Sequence, residues 1–283
     1  MAFDPDRLKT WSFPDIRHRY TARDAIIYAL GVGLPLTPGD SEDLSFLLED
    51  RLKVVPTFAV TLASPGMWVR APELGIDWVK LLHAGQAASF ESALPAEAEV
   101  VGKARIKSLH DRGPDKGAIC VVERRIEDAV SGTLYCTIDQ TIIMRGNGGF
   151  GGEAPPKDAK PTPPDRAADL VETVRLSPRA ALIYRLSGDV NPLHADYEVA
   201  RKAGFDRPIM HGLGSYGTTG ALIVMRFCDG DPARLKDLSL RFSGVIYPGD
   251  EIAFSFWKER SDVLFEATVG DRKVLDQGIA RIG

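Results

Sequence analysis

The sequence predicts an α+β protein made of two related halves. Three observations support this prediction: an internal repeat, a change from helical to strand patterning within each half, and a proline-rich segment between the halves. With 283 residues, the chain is long enough for two domains of ordinary size.

The internal repeat is visible without gaps. Residues 21–33 (TARDAIIYALGVG) align at an offset of 156 with residues 177–189 (SPRAALIYRLSGD), and five positions are identical. At an offset of 152, VVPTFAV around Pro56 matches DRPIMHG around Pro208. Two copies of one unit explain both matches, whereas the alternative is chance similarity between two amphipathic helices. The identical pairs are Arg23/Arg179, Ala25/Ala181, Ile27/Ile183, Tyr28/Tyr184 and Leu30/Leu186.

Both aligned segments have the features of helix starts. Thr21 with Asp24 three residues later forms the pattern of a capping box, and Ser177 is followed by Pro178, which favours the first helical turn. A third helix is predicted for residues 209–227, an apolar stretch with four glycines. Because glycine destabilises a free helix, this helix is expected to be closely packed inside the protein.

Strand patterning follows the helical segments in each half. Apolar residues alternate with polar ones, which predicts an antiparallel sheet with one buried face. The turn at residues 93–97 of the first half corresponds to the turn at residues 246–251 of the second. The alternating positions are Leu134, Cys136, Ile138 and Gln140 in the first half, and Leu238, Leu240, Phe242, Ile252, Phe254, Phe256, Val263, Phe265, Ala267 and Val269 in the second.

The proline-rich segment sets the domain boundaries. Residues 153–165 (EAPPKDAKPTPPD) contain five prolines in thirteen residues, and proline lacks the backbone N–H that a strand ladder needs. We therefore expect a first domain at residues 1–152, a linker at 153–165 and a second domain at 166–283.

Composition narrows the classes of partner. The net charge of −4 provides no basic field for nucleic acid, and no apolar run reaches the length of a membrane span. The three cysteines are scattered, as expected of small core residues in a reducing compartment. We expect a cytoplasmic protein that binds a small molecule or another protein.

The groups that can move protons cluster between Tyr184 and Gly212. Asp189 and His194 are separated by a loop containing proline, so they cannot share a helix face, but a tight loop can aim both at one cavity. The alternative is that Asp189 or Asn191 caps a helix beginning at Pro192, and that His194 is an exposed residue of its first turn.

The segment YRLSGDVNPLH, from Tyr184 to His194 with Ala200 beyond it, resembles the signature of the R-specific 2-enoyl-CoA hydratases, also called hydratase 2 or MaoC-like proteins. YTARDAIIYALGVG, VVPTFAV, LLHAGQ and RGNGGFGG are similar to the first half of the hydratase unit in peroxisomal multifunctional enzymes of type 2. One departure is Ala84-Gly85-Gln86, where family members often carry Gly-Glu-Gln. The resemblance implies a double hotdog fold, in which each half wraps an antiparallel sheet around a helix.

The resemblance also implies an activity. The expected reaction is reversible hydration of trans-2-enoyl-CoA to (R)-3-hydroxyacyl-CoA, with coenzyme A as part of the substrate and neither a cofactor nor a metal. Asp189 and His194 would share the proton transfers, in an order that the sequence leaves open, and Asn191 would hold the water or orient its partners. We expect the Gly212 N–H to stabilise the thioester oxygen with help from Ser215. The first half would bind the acyl chain of the substrate, and the protein is expected to form a homodimer.

Further assignments remain open at this point. His83 and Gly85 are candidate substrate contacts, although a partly buried strand histidine is the alternative for His83. The glycine cluster at residues 145–152 could bind phosphate or form a flexible strand exit. The first copy has Gly33, Pro38 and Ala59 opposite Asp189, His194 and His211, so it lacks the acid and base. A hotdog thioesterase and a non-catalytic acyl-CoA-binding protein are the alternative functions.

Overall fold

The computed structural model describes residues 2–36, 41–157 and 159–283, and within them ten strands form one antiparallel sheet. The strands are β1 (Ile16–Tyr20), β2 (Leu81–Phe90), β3 (Ala98–Asp111), β4 (Ala118–Asp128), β5 (Leu134–Met144), β6 (Leu170–Arg175), β7 (Leu235–Phe242), β8 (Glu251–Glu259), β9 (Asp262–Val269) and β10 (Arg272–Ile282). The α-helices are α1 (Pro5–Lys9), α2 (Ala22–Gly31), α3 (Ser41–Leu44), α4 (Ala180–Tyr184), α5 (Tyr197–Lys202) and α6 (Gly212–Phe227).

The sheet has internal two-fold pseudosymmetry. Its strand order is β1-β3-β4-β5-β2-β7-β10-β9-β8-β6, so the second half repeats the order of the first in reverse. The halves join where β2 pairs antiparallel with β7, and Ala87 lies opposite Ser239. Each half therefore supplies five strands of a double hotdog fold, and the β7 edge is covered by β2 instead of being open to other chains.

Most of the alternating strand residues face the core as their pattern predicts, whereas Leu134 and Gln140 are only half-buried. Leu238, Leu240, Ile252, Phe254, Phe256, Val263, Phe265 and Ala267 are all buried, as are Cys136 and Ile138 in the first half. Phe242 and Val269 are partly buried at its margin. The three cysteines are buried and free, which agrees with a role as small core residues.

Helix α6 is the central helix of the second half. It is buried from Gly214 to Met225, and its glycines permit close approach of the first half. A Cβ atom on Gly217 would lie 2.4 Å from Cγ1 of Val32, and one on Gly220 would lie 2.5 Å from Cγ2 of Thr57. The glycines that would weaken a free helix are thus required by the contact between the halves.

The first half has no comparable central helix among its described residues, which corrects the expectation that each half wraps its sheet around one. The position equivalent to the approach and start of α6 carries a six-residue 3-10 helix, Pro56–Thr61. Pro65 and Gly66 follow shortly after it and prevent its extension into an α-helix, since proline lacks the backbone N–H and Gly66 has a φ of +65°.

The helix start predicted at Ser177 is also displaced. The Oγ of Ser177 accepts a hydrogen bond from the Arg179 N–H at 3.1 Å in a turn, and α4 begins only at Ala180. The start at Thr21 is as predicted, because its N–H donates to Asp24 Oδ2 at 2.8 Å. The repeated helices α2 and α4 pack together, with the rings of Tyr28 and Tyr184 centred 5.8 Å apart.

The proline-rich segment contains no helix or strand in residues 153–157 and 159–165, its described parts. No helix among the described residues has the length and apolar character that crossing a membrane requires.

Candidate active site

The candidate site is built around the loop that follows α4. A 3-10 turn at Arg185–Ser187 ends at Gly188, which has a φ of +115°, a conformation that glycine adopts without strain. Gly188 also lies next to the first half, because a Cβ atom there would approach the carbonyl oxygen of Thr61 at 4.0 Å. The turn presents Asp189 as an exposed side chain at the seam between the halves.

Asn191 organises the next turn. Its side-chain oxygen accepts the Leu193 N–H at 3.1 Å and so caps the 3-10 helix Pro192–His194. Its own N–H donates to Asp189 Oδ1 at 3.2 Å, which ties the carboxylate to the same turn. The capping alternative is therefore correct for Asn191, but its second part is wrong, since His194 is only 8% exposed.

His194 is held with one ring nitrogen available. Its Nδ1 lies 2.9 Å from the carbonyl oxygen of Ile209, and because a carbonyl only accepts, Nδ1 carries the hydrogen. The neutral ring then has a lone pair on Nε2. Burial lowers the pKa of His194, although the Ile209 hydrogen bond and the charge of Asp189 act in the opposite direction. The environment favours a neutral imidazole that can accept a proton.

His211 lies directly against His194. The two rings stack with centroids 3.7 Å apart and planes inclined by 27°. His211 Nε2 is 3.1 Å from the backbone carbonyl oxygen of Asp189, to which it donates. Burial, followed by the charge of His194, lowers the pKa of His211 to about 4. From the sequence, His211 is identified only as the counterpart of Ala59 in the repeat, and its contacts with Asp189 and His194 are not predicted.

Asp189, His194 and His211 place potential metal-ligand atoms within 4.8 Å of one another. A histidine coordinates a metal through a lone pair in its ring plane. Because the two rings are stacked, an ion in the plane of one would lie out of the plane of the other. His194 Nδ1 and His211 Nε2 are also both engaged by backbone carbonyls. The arrangement suits proton transfer better than metal binding.

The start of α6 adjoins this cluster. Gly212 is the first residue of the helix, so its N–H has no intrahelical acceptor and lies at the positive end of the helix dipole. Ser215, one turn later, is buried, and its N–H donates to the His211 carbonyl at 3.2 Å. The Gly212 N–H is therefore a backbone donor beside the imidazoles, whereas the Ser215 N–H is used within the first turn of the helix.

His83 reaches the same region from β2 of the first half. Its ring packs edge to face against that of Phe242, with the ring centroids 5.0 Å apart. Phe242 also packs against Gly212, where an added Cβ atom would lie 3.3 Å from Cε1 of the Phe242 ring. Its Nε2 donates to the Gly85 carbonyl and to Gln86 Oε1, both at 3.1 Å. Burial lowers the pKa of His83 to about 4, while the charge of Asp189 is among the influences that raise it. Gly85 therefore contacts His83 through its carbonyl, and it lies opposite Arg241 of β7.

The glycine cluster after β5 has an internal anion. The carboxylate of Asp111 accepts backbone N–H groups of Gly113 and Gly149, both at 2.8 Å, and of Gly151 at 2.7 Å. These hydrogen bonds, with that from Gly149 the largest influence, lower the pKa of Asp111. Two N–H groups of the cluster, those of Gly149 and Gly151, are therefore bonded to an internal carboxylate, which disfavours a phosphate at the same place.

Comparison with known families and structures agrees with this geometry. Residues 18–146 match the MFE-2 hydratase 2 N-terminal domain, and residues 159–278 match the MaoC like domain. Enoyl-CoA hydratase 2, peroxisomal, from Arabidopsis thaliana is 36% identical over 95% of this chain and 92% of the relative.

Solved structures share the whole fold. A MaoC-like dehydratase from Phytophthora capsici superposes with a TM-score of 0.86 at 30% identity and covers 99% of both chains. A Mycobacterium tuberculosis protein described as a double hotdog fold superposes with a TM-score of 0.58 at 12% identity, over 96% of both chains, which bears on the fold alone. Together, the repeated sheet, the site at its seam and these matches show that the chain belongs to the MaoC-like hydratase 2 family.

Proposed function

We propose that this protein is a hydro-lyase that reversibly hydrates trans-2-enoyl-CoA to (R)-3-hydroxyacyl-CoA in fatty-acid or related acyl-CoA metabolism. The observation that carries the proposal is the buried His194, whose free Nε2 lies in a cluster with Asp189 beside the N-terminus of α6. The name of the Arabidopsis relative supports the same reaction.

The proposed chemistry begins at His194. Its Nε2 takes a proton from a water molecule, and the water oxygen forms a bond to C3 of the enoyl thioester. The electron pair of the C2–C3 double bond moves toward the thioester, giving an enolate-like oxygen. The imidazolium then returns its proton to C2 on the same face, which completes a syn addition. Hydration therefore consumes one water and leaves His194 neutral again.

Neighbouring groups support these steps. The Asp189 carboxylate would accept a hydrogen bond from the water and stabilise the imidazolium, and Asn191 would hold the loop that carries both. The Gly212 N–H would donate to the developing oxyanion, assisted by the dipole of α6 and by Ser215. His83 would line the substrate from the first half, and the Gly85 carbonyl would hold its ring. No redox cofactor or metal enters this reaction, and coenzyme A belongs to the substrate.

The two halves are proposed to have different tasks. Residues 166–283 would carry the chemistry, residues 1–152 would bind the acyl chain, and residues 153–165 would link them. Gly33 stands where the second copy has Asp189, whereas Pro38, opposite His194, lies outside the described residues. The first half also has a six-residue 3-10 helix where the second has a sixteen-residue helix, so less helix fills its interior.

Two expectations about the cellular form remain proposals. A cytoplasmic location can be tested by fractionation, and the Arabidopsis relative is named peroxisomal. A homodimer can be tested by light scattering on the purified chain.

The experiment that tests the function is turnover of trans-2-enoyl-CoA substrates of graded chain length. The proposal predicts loss of the conjugated double bond without release of free thiol. Thiol release in proportion to turnover would instead indicate a thioesterase. Binding without any turnover would indicate a non-catalytic acyl-CoA-binding protein.

A further inference from the structure

We propose that His211 is a positioning residue that fixes Asp189 and His194 at once. Its Nε2–H anchors the backbone of Asp189, and the face of its ring supports His194. This inference rests on the proposed hydratase function and assigns a role to a side chain that the proposed chemistry does not otherwise use.

The contacts of His211 reach three parts of the site. Its Nε2 is 3.1 Å from the carbonyl oxygen of Asp189, a residue 22 positions earlier in the chain. Its ring stacks on His194 at 3.7 Å, and it immediately precedes Gly212 at the start of α6. One side chain therefore sets the loop carrying the carboxylate, the plane of the imidazole and the start of the helix relative to one another.

The surroundings of His211 hold its ring in place. The side chain is 1% exposed, and the ring of Tyr184 lies against it at 4.9 Å. Its Nδ1 is buried with no hydrogen-bond partner among the described residues. A buried polar atom left unpaired costs stability. A hydrophobic residue of similar shape would avoid this cost but would leave the Asp189 carbonyl without its donor, so the contact with Asp189 is what a histidine adds here.

The internal repeat separates structural from functional positions. Tyr184, which packs against His211, has Tyr28 as its counterpart at the offset of 156, and Pro208 has Pro56 at the offset of 152. These positions are the same in both copies and serve the shared architecture. His211 instead corresponds to Ala59, just as Asp189 corresponds to Gly33. The copy that lacks the acid also lacks the histidine, and Ala59 is fully buried there without one.

Three substitutions separate the two contacts of His211. His211→Phe keeps a flat ring against His194 but removes the donor to Asp189. His211→Gln keeps a donor at the position of Nε2 but removes the ring. His211→Ala reproduces the first copy and removes both. We expect kcat for crotonyl-CoA to fall about 10-fold in the first two variants and about 10²-fold in His211→Ala, the loss that a misplaced reacting group produces, with KM changing less than about 3-fold.

The deciding measurement is made in a His194→Gln background. The ring face of His211 has nothing to support once His194 is gone. His211→Gln, which removes the ring and keeps the donor to Asp189, should therefore lower the residual kcat of His194→Gln by less than about 2-fold. A loss as large as in the wild-type background would overturn the proposal, because it would show that His211 acts independently of His194.

Controls separate this inference from the proposed function and from loss of folding. His110→Ala removes another partly buried histidine, on β3 of the first half, and should leave kcat unchanged. Thermal unfolding identifies any variant that has lost its structure, and His211→Phe and His211→Gln offer two conservative forms. Wild-type protein without hydratase turnover would contradict the proposed function itself. Normal kcat in folded His211→Phe and His211→Gln, with an active wild type, would contradict only the role of His211.

Discussion

Ala87 of β2 lies directly opposite Ser239 of β7, and the two residues are 152 positions apart in the chain. This is the offset of the second sequence repeat, so the pseudo-two-fold axis passes beside this pair. The same offset relates Phe242 to Phe90 and His83 to Leu235. The site at one end of the seam thus has a counterpart at the other end, in which His83 and His211 are replaced by Leu235 and Ala59.

The tight contact between α6 and the first half predicts a loss of stability in Gly217→Ala. The new Cβ atom would lie 2.4 Å from Val32 Cγ1 and 2.6 Å from the hydroxyl of Tyr28. Overpacking of this kind costs about 1–3 kcal/mol, which chemical denaturation measures. The same substitution combined with Val32→Ala and Tyr28→Phe should cost less. An equal cost in both backgrounds would show that the contact with the first half is not the cause.

The buried histidines predict a pH dependence of stability. Burial lowers the pKa values of His83 and His211 from 6.5 to about 4 in the folded protein. Between these pH values the unfolded chain binds protons that the folded chain does not. Stability from these groups is therefore complete above pH 6.5 and is lost as the pH falls toward about 4.

The corresponding measurement is denaturation of wild type and His83→Gln at several pH values across this window. Between pH 6.5 and about 4 the free energy of unfolding should fall less steeply with decreasing pH in the variant than in the wild type, by up to about 1.4 kcal/mol per pH unit. An unchanged slope would mean that His83 takes up a proton in the folded protein as readily as in the unfolded one.

Much of this fold could be predicted because repeated sequence and alternating burial are local signals. The capping box at Thr21 and the buried strand positions need no knowledge of distant contacts. The absence of a central helix from the described part of the first half was not predicted, because the resemblance implied one helix in each half. Pro65 and Gly66, which break a helix, were the local signal against it. Asp189 and His194 were found from their loop.

The role proposed for His211 could not be predicted in the same way, because its stack on His194 and its bond to Asp189 cross a long stretch of chain. The signal available in the sequence was its replacement by Ala59 in the first copy. Similarly, the carboxylate within the glycine cluster comes from Asp111, 38 residues before Gly149. No spacing rule connects these two segments, so the phosphate alternative stayed open until the hydrogen bonds were known.

The product of crotonyl-CoA hydration should be the (R)-alcohol. The site places His194 and the start of α6 in one fixed relation, so water and proton reach a single face of the double bond. Chiral chromatography of the hydrolysed product measures this outcome. Predominantly (S)-product would mean that the substrate lies across the site in the opposite sense to the one that the resemblance to R-specific hydratases implies.

The second half alone should self-associate. A fragment of residues 166–283 would expose the edge of β7, which pairs with β2 in the full chain, together with the glycine-lined face of α6. Light scattering should therefore detect dimers or larger species. A monomeric fragment that keeps full activity on long-chain enoyl-CoA would contradict the proposed tasks of the first half.

The central claim, acid–base hydration by Asp189 and His194, is tested most directly by the kcat of Asp189→Asn and His194→Gln on crotonyl-CoA. Each substitution keeps the size of the side chain, so unfolding temperatures should stay close to the wild type. We predict that kcat falls at least about 10²-fold in each variant, in His194→Gln because the general base and acid is lost, and in Asp189→Asn because the charge that orients the water and stabilises the imidazolium is lost. Near-normal turnover by either folded variant would contradict the account.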